Sequence, residues 1–185
     1  MFVTSCSPGP NNIVASYSGF NFGILKTIPH MFGVIFGFTT LVAVMNFGLI
    51  NVFQKFPIIQ EILKYTGSLF LIYLAYKISF SQTKSDNSTK NPVKFIETFF
   101  FQFINPKSVI VSVIMVSTYV EKGQNFLVYS YWVLGVAFIF AVISINFWTL
   151  IGKFLRRFAT NEKFIKRFNY VMSFLLLTCI ATFYL

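Results

Sequence analysis

An all-α membrane protein of six transmembrane helices is the fold class that this sequence predicts, with the first helix short and helices 1 and 4 broken. The six are expected to form an inverted 3+3 repeat. Three observations carry that expectation. Of the 185 residues 56% are hydrophobic and only 11% charged, where a soluble domain holds charged residues at roughly 25%. The apolar residues gather in six runs, several of them near the ~20 residues that a spanning helix needs. Two proline breaks, at Pro8–Pro10 and at Pro106, fall at equivalent places in the two halves of the chain.

Taken in order, residues 1–19 are apolar but interrupted by Ser7-Pro8-Gly9-Pro10-Asn11-Asn12. Each proline there removes an N–H donor and clashes with the preceding turn, so the run cannot be one helix. A connection over 20–27 carries Lys26. Pro29 is then expected in the first turn of a second span, 29–53, a position that proline suits. Residues 54–61 read as a polar connection, 62–80 as a third span, and 81–94 (SQTKSDNSTKNPVK) as an exposed cytoplasmic loop. The fourth span, 95–119, is interrupted at Asn105-Pro106. A tight turn over 121–125, a fifth span over 126–151, a basic connection over 153–167 and a short sixth span over 168–185 complete the chain. The whole is read as one transmembrane domain, 1–185, with repeat one at 1–80 and repeat two at 95–185.

Charge orients the spans. The connections after spans one, three and five hold eleven of the 15 Lys and Arg, and those after spans two and four hold three, Lys55, Lys64 and Lys122. The positive-inside effect places the richer side in the cytoplasm, with both termini outside. Tyr119, Tyr129, Tyr131 and Trp132 would then form an outer aromatic belt. The formal net charge of +10 follows from this asymmetry and from attraction to anionic lipid. No basic face on a soluble domain is present, so nucleic acid is not expected as a partner. Cys6 and Cys179 form no C-x-x-C pair and imply neither a disulfide framework nor a metal site. No cleavable signal peptide is visible ahead of the Pro-Gly-Pro break.

Sliding the chain by 96 residues sets Pro10 on Pro106 and residues 11–16 on 107–112, with Ser16 on Ser112. In both places a proline opens an apolar, β-branched run. Three spans separate the two breaks, and an odd number turns the second unit over relative to the first. Inverted repeats with discontinuous helices are typical of secondary transporters, whose sites lie near the bilayer midplane where the breaks meet.

These residues resemble the LysE/RhtB family of bacterial amino-acid exporters. The Ser7-Pro8-Gly9-Pro10-Asn11 stretch matches that family's [ST]-P-G-P-N signature. Gly33-x-x-x-Gly37 and Gly48-Leu49 match glycines of its second span, and Leu63-Lys64-x-x-Gly67-x-x-x-Leu71-x-Tyr73-Leu74 its third. Phe99 and Asn105-Pro106-Lys107 match its fourth-span pattern; the similarity runs from Ser7 to about Val120, while spans five and six match in position and character. Two departures stand out. Only seven residues precede Pro8, where the family usually has a longer apolar lead, so the first half of span one is expected to be short. Phe38 follows the second glycine of span two, where the family commonly has an acid. All five acidic residues lie in connections or at span ends, which leaves no membrane carboxylate to carry a coupling proton.

The resemblance and the physics of broken helices point to the same substrate-binding candidates. Pro8, Gly9, Pro10, Asn11 and Asn12 would open a half-helix whose free N–H groups and positive dipole end suit a carboxylate. The bland alternative is a kink satisfied by neighbouring helices. Asn105, Pro106 and Lys107 would form the matching break. Lys107 is the one charge well inside a predicted span, and such a residue is a functional candidate by default, with snorkelling to an interface the competing reading. Asn46 and Asn146, in equivalent spans two and five, could bind the amine or carboxylate of a substrate or simply bond between helices. Gly33, Gly37 and Gly67 are read as helix-packing positions, and His30 as an interface residue rather than a proton relay. No cofactor and no metal are expected.

The reading that follows is a multi-pass protein of the bacterial cytoplasmic membrane, not an enzyme, that exports an amino acid or small amino-acid-like metabolite by alternating access. Its partners are the small-molecule substrate and membrane lipids, with a homo-oligomer left open. Two rivals are a degenerate, non-transporting protein on the same scaffold and a membrane redox or metal-handling protein. The sequence does not name the substrate or the coupling ion.

Overall fold

The computed structural model describes residues 8–80, 93–120 and 123–184. The apolar lead before Pro8 and most of the hydrophilic loop predicted at 81–94 lie outside the described residues. Every regular element among those described is helical: α1 Pro10–Val44, a π-helical turn Met45–Leu49, α2 Ile50–Lys55, α3 Pro57–Ser79, α4 Phe95–Ile104, α5 Pro106–Tyr119, α6 Phe126–Leu155, a 3-10 turn Arg156–Phe158 and α7 Glu162–Ala181.

The first helix is folded back on itself. Gly23 has φ 76° and ψ 174°, a conformation open essentially to glycine alone. An unbroken helix would hold Asn11 and His30 about 28 Å apart at 1.5 Å per residue. Instead His30 Nε2 lies 3.4 Å from the Asn11 carbonyl oxygen. The segments on either side of Gly23 therefore run past one another in opposite directions. The open connection expected over 20–27 is thus a single-residue bend, and Pro29 lies inside the helix rather than at its start. It is tolerated because only the bond to the Leu25 carbonyl is lost, close to the end of the segment, where Thr27 Oγ1 also bonds the Gly23 carbonyl at 2.8 Å.

Two other connections are shorter than predicted. That over 54–61 contracts to Phe56 (φ −128°, ψ 76°), with Pro57 in the first turn of α3. That over 153–167 is largely helical; α6 runs to Leu155, and Asn161 caps α7 by accepting from the Phe164 N–H at 2.8 Å. The break at Asn105 is as expected in place, and it bends α4 against α5 by 64°. Among the described residues, four helical stretches are long and apolar enough to cross a membrane: Pro10–Phe53, itself folded at Gly23, Pro57–Ser79, Phe126–Phe158 and Glu162–Ala181; the bent pair α4–α5 makes a fifth if it is one span.

Apolar burial does not drive helices together in lipid, so close approach depends on small residues and buried polar contacts. The first segment of α1 lies on the end of α6 through two reciprocal glycines. A Cβ at Gly19 would strike the Thr149 carbonyl oxygen, and one at Gly152 would strike that of Ser16. In the second segment, Gly33 and Gly37 seat on α4, where added Cβ atoms would fall 2.6 Å from the Phe95 carbonyl oxygen and 2.7 Å from that of Phe99. Gly67 brings α3 onto the Ile104 carbonyl. Apolar clusters fill the remaining space. One joins Ile13, Val14 and Tyr17 to Leu71, Leu74 and Leu176; another joins Ala15, Val34 and Ile35 to Ala141 and Ile145.

The bend at Gly23 meets the basic connection between α6 and α7. Phe20, next to the Gly23 bend, stacks on Phe168 with ring centroids 3.8 Å apart and lies under the Arg156 guanidinium at 5.3 Å. Lys77 pairs with Glu97 at 3.5 Å. Of the four residues predicted for an aromatic belt, Tyr119, Tyr131 and Trp132 are more than half exposed and Tyr129 is partly buried.

Candidate functional site

The two proline breaks face one another across a cavity of about 80 Å³. The break before α1 contributes Gly9, Pro10, Asn11 and Asn12, and the break between α4 and α5 contributes Gln102, Asn105, Lys107 and Ser108. Ser144 of α6 adds a hydroxyl; the rest of the wall is apolar and includes Val34, Phe38 and Phe140. A mostly apolar lining with a few convergent polar groups is the ordinary form of a small-molecule site.

A fully buried amide, Gln102, holds the two breaks together. Its Oε1 accepts from Asn11 Nδ2 at 2.8 Å and from Ser108 Oγ at 3.0 Å. Its Nε2 donates to Asn11 Oδ1 at 3.1 Å and to the Thr98 carbonyl at 2.9 Å. Every hydrogen-bonding capacity of a glutamine side chain is used. Asn105 caps α5 in turn, accepting from the Lys107 N–H at 3.2 Å and donating to Ser108 Oγ at 3.0 Å. Behind Asn11 sits His30, 1% exposed, between the Asn11 carbonyl and Thr98 Oγ1, the latter 3.0 Å from Nδ1. This burial corrects the expectation that His30 lies at a membrane interface: with the bend at Gly23 rather than at Pro29, the residue falls well inside the second segment.

The polar groups divide accordingly. Asn11, Gln102, Asn105 and Ser108 are tied to one another and shape the cavity. Facing it as well are Lys107 and Asn12, whose Oδ1 accepts from Ser144 Oγ at 3.3 Å. Lys107 lies directly over the first break, its Nζ 2.8 Å from where a Gly9 Cβ would stand. The first i→i−4 bond of α1 runs from the Ile13 N–H to the Gly9 carbonyl at 2.9 Å. The N–H groups of Asn11 and Asn12 thus precede the helical ladder, at the positive end of the helix dipole. A cation and a helix N-terminus occupy the same corner, which is a natural seat for an anion.

The other expected site residues lie elsewhere. Pro8 is exposed and Pro106 buried, and neither lines the cavity. Asn46 donates to Ser130 Oγ at 2.7 Å, bridging the π-helical turn to α6, and its Oδ1 is buried without a partner among the described residues. Asn146 donates to the Val142 carbonyl of its own helix at 2.8 Å. Gln102, Ser108 and Ser144 were not anticipated. Gln102 had a legible signal, as a lone amide in the apolar run Phe99–Ile104, whereas Ser108 and Ser144 resemble any other small residue in a span.

A helix start at Pro10 and a broken helix at Asn105 that converge on a cavity inside a multi-span bundle are the arrangement that secondary transporters use. The chain belongs to the LysE type translocator family, whose model matches residues 2–184. Among curated proteins it is 30% identical, over 184 residues, to cysteine/O-acetylserine efflux proteins of Escherichia coli (strain K12), Escherichia coli O139:H28 and Shigella sonnei, covering 96% of this chain and 90% of each relative. No solved structure matches it. Membership makes the protein a multi-pass inner-membrane transporter rather than an enzyme.

Proposed function

We propose that the protein exports a small amino acid or amino-acid-like metabolite from the cytoplasm, binding it as a zwitterion between the two helix breaks and releasing it by alternating access. The observation that carries this reading is the placement of Lys107 over the opening turn of α1, at the meeting point of both breaks. The substrate carboxylate sits in that corner, against the Lys107 ammonium and the N–H groups of Asn11 and Asn12. The substrate amine turns to the Asn12 side-chain oxygen and Ser144. Gln102 and Asn105 position these groups without touching the substrate themselves. Cysteine and O-acetylserine, named for the relatives, are the first substrates to test.

The architecture supporting this cycle is six spans, counting the folded α1 as two and α4–α5 as one. Three spans follow each orientation, so that Pro10 and Pro106 open equivalent half-helices. The basic connections face the cytoplasm. Rocking of one unit against the other opens the cavity to each side in turn.

Efflux of labelled cysteine and O-acetylserine from cells carrying wild type or Lys107→Met tests the reading. Lys107→Met is expected to reach the membrane at wild-type abundance and to lose nearly all efflux, with partial return in Lys107→Arg. Wild-type efflux from membrane-inserted Lys107→Met would refute the site.

A further inference from the structure

We propose, resting on the export reading above, that Phe38 is the specificity-determining residue of this cavity and confines it to small, uncharged side chains. A zwitterion held by the two breaks leaves its side chain only the apolar part of the wall. That part is built by Val34 and Phe38 of α1, Val111 of α5, and Phe140, Ala141 and Ile145 of α6. Phe38 and Phe140 are its bulkiest members. The phenyl ring of Phe38 packs against two of the apolar clusters at once, that of Leu41 and Met115 and that of Val34 and Ile145. Its backbone is equally constrained, because the preceding Gly37 rests against the Phe99 carbonyl and Gln102 Cγ. Partly buried and packed on both sides, the ring yields little to a longer side chain.

Charge selects in the same direction. Among the described lining residues the one charged side chain is Lys107, and none is acidic. A lysine or arginine side chain would enter a cavity of like sign and meet apolar carbon, with no counter-charge for its own desolvated cation. An aspartate or glutamate side chain would face the same apolar wall while its main-chain carboxylate already occupies Lys107. Small neutral amino acids meet neither penalty.

The test uses the full-length protein reconstituted in lipid vesicles and a counterflow assay, which needs no knowledge of the coupling ion. Labelled cysteine, serine, leucine, lysine and aspartate are compared for wild type, Phe38→Ala and Phe38→Asp. Wild type is expected to favour cysteine and serine over leucine, lysine and aspartate by about tenfold or more, the discrimination that a pocket wall gives against extra methylenes. Phe38→Ala should raise leucine relative to cysteine about tenfold, without admitting lysine, and Phe38→Asp should raise lysine relative to cysteine by a similar factor. Wild type carrying lysine as well as cysteine, or a leucine-to-cysteine ratio in Phe38→Ala within about twofold of wild type, overturns the role of Phe38. Should Phe38→Asp fail to fold, Phe38→Ala introduces no charge and decides the matter on size alone. Counterflow of none of the five amino acids by wild type would instead overturn the export reading.

Discussion

Asn11 and Gln102 offer a quantitative check on how the two breaks are joined. Two reciprocal bonds, of 2.8 Å and 3.1 Å, link their side chains across the cavity wall. Hydrogen bonds between helices in a membrane average about 0.6 kcal/mol, because the membrane-embedded unfolded chain also finds partners. Two of them give a coupling of about 1.2 kcal/mol. Gln102→Ala also loses the bond to Ser108 and the bond to the Thr98 carbonyl within α4, so the single substitution should cost about 2.4 kcal/mol when the bond within α4 is taken at the same value as the three between helices. Asn11→Ala loses the two shared bonds and should cost about half as much. A double-mutant cycle of Asn11→Ala and Gln102→Ala, read by reversible unfolding in bicelles, separates the shared part from the rest. Additive single costs, with a coupling under about 0.3 kcal/mol, would show that the pair contributes nothing across the breaks and would refute the role given to Gln102.

Three further outcomes follow from local geometry. Gly152→Val drives a side chain into the Ser16 carbonyl, backbone that cannot yield; a loss of about 3 kcal/mol is expected, at the upper end for overpacking, and an unchanged melting midpoint in detergent would contradict it. Gly23→Ala meets no atom within 4 Å, so any loss is conformational; about 1–3 kcal/mol is expected at this backbone geometry, read in the same melting assay. Asn105→Ala removes the side-chain cap of α5 and should cost about 1 kcal/mol. Asn105→Asp, which keeps the accepting oxygen, should recover part of that loss.

Much of this arrangement can be read from the amino-acid sequence, for identifiable reasons. The breaks at Pro10 and Pro106 are legible because proline removes a donor wherever it stands, and the 96-residue interval between them is visible without any structure. Gly33 and Gly37 are legible as a pair because their spacing puts both on one helix face. Gly19 and Gly152 are not, since only their meeting in space gives them meaning. The same limit applies to Ser144, which has no local feature to set it apart until Asn12 lies beside it. His30 was misplaced for a different reason: Pro29 is a strong helix-start signal, and it outweighed Gly23, whose positive φ leaves no mark on the sequence beyond the glycine itself. Asn46 and Asn146 were expected in equivalent spans, yet placement in a span does not fix the face on which a side chain emerges.

The crossed contact of Gly19 with Thr149 and of Gly152 with Ser16 has a mechanical meaning. Where main chain rests on main chain there is no side chain to change rotamer, so the two helices cannot slide or roll without first separating. Residues 16–19 and 149–152 therefore form a close point of contact between the two half-chains, about which the rocking proposed above would turn. A pair of probes placed on the outer faces of these two segments would keep one distance throughout a transport cycle, whatever the rest of the molecule does.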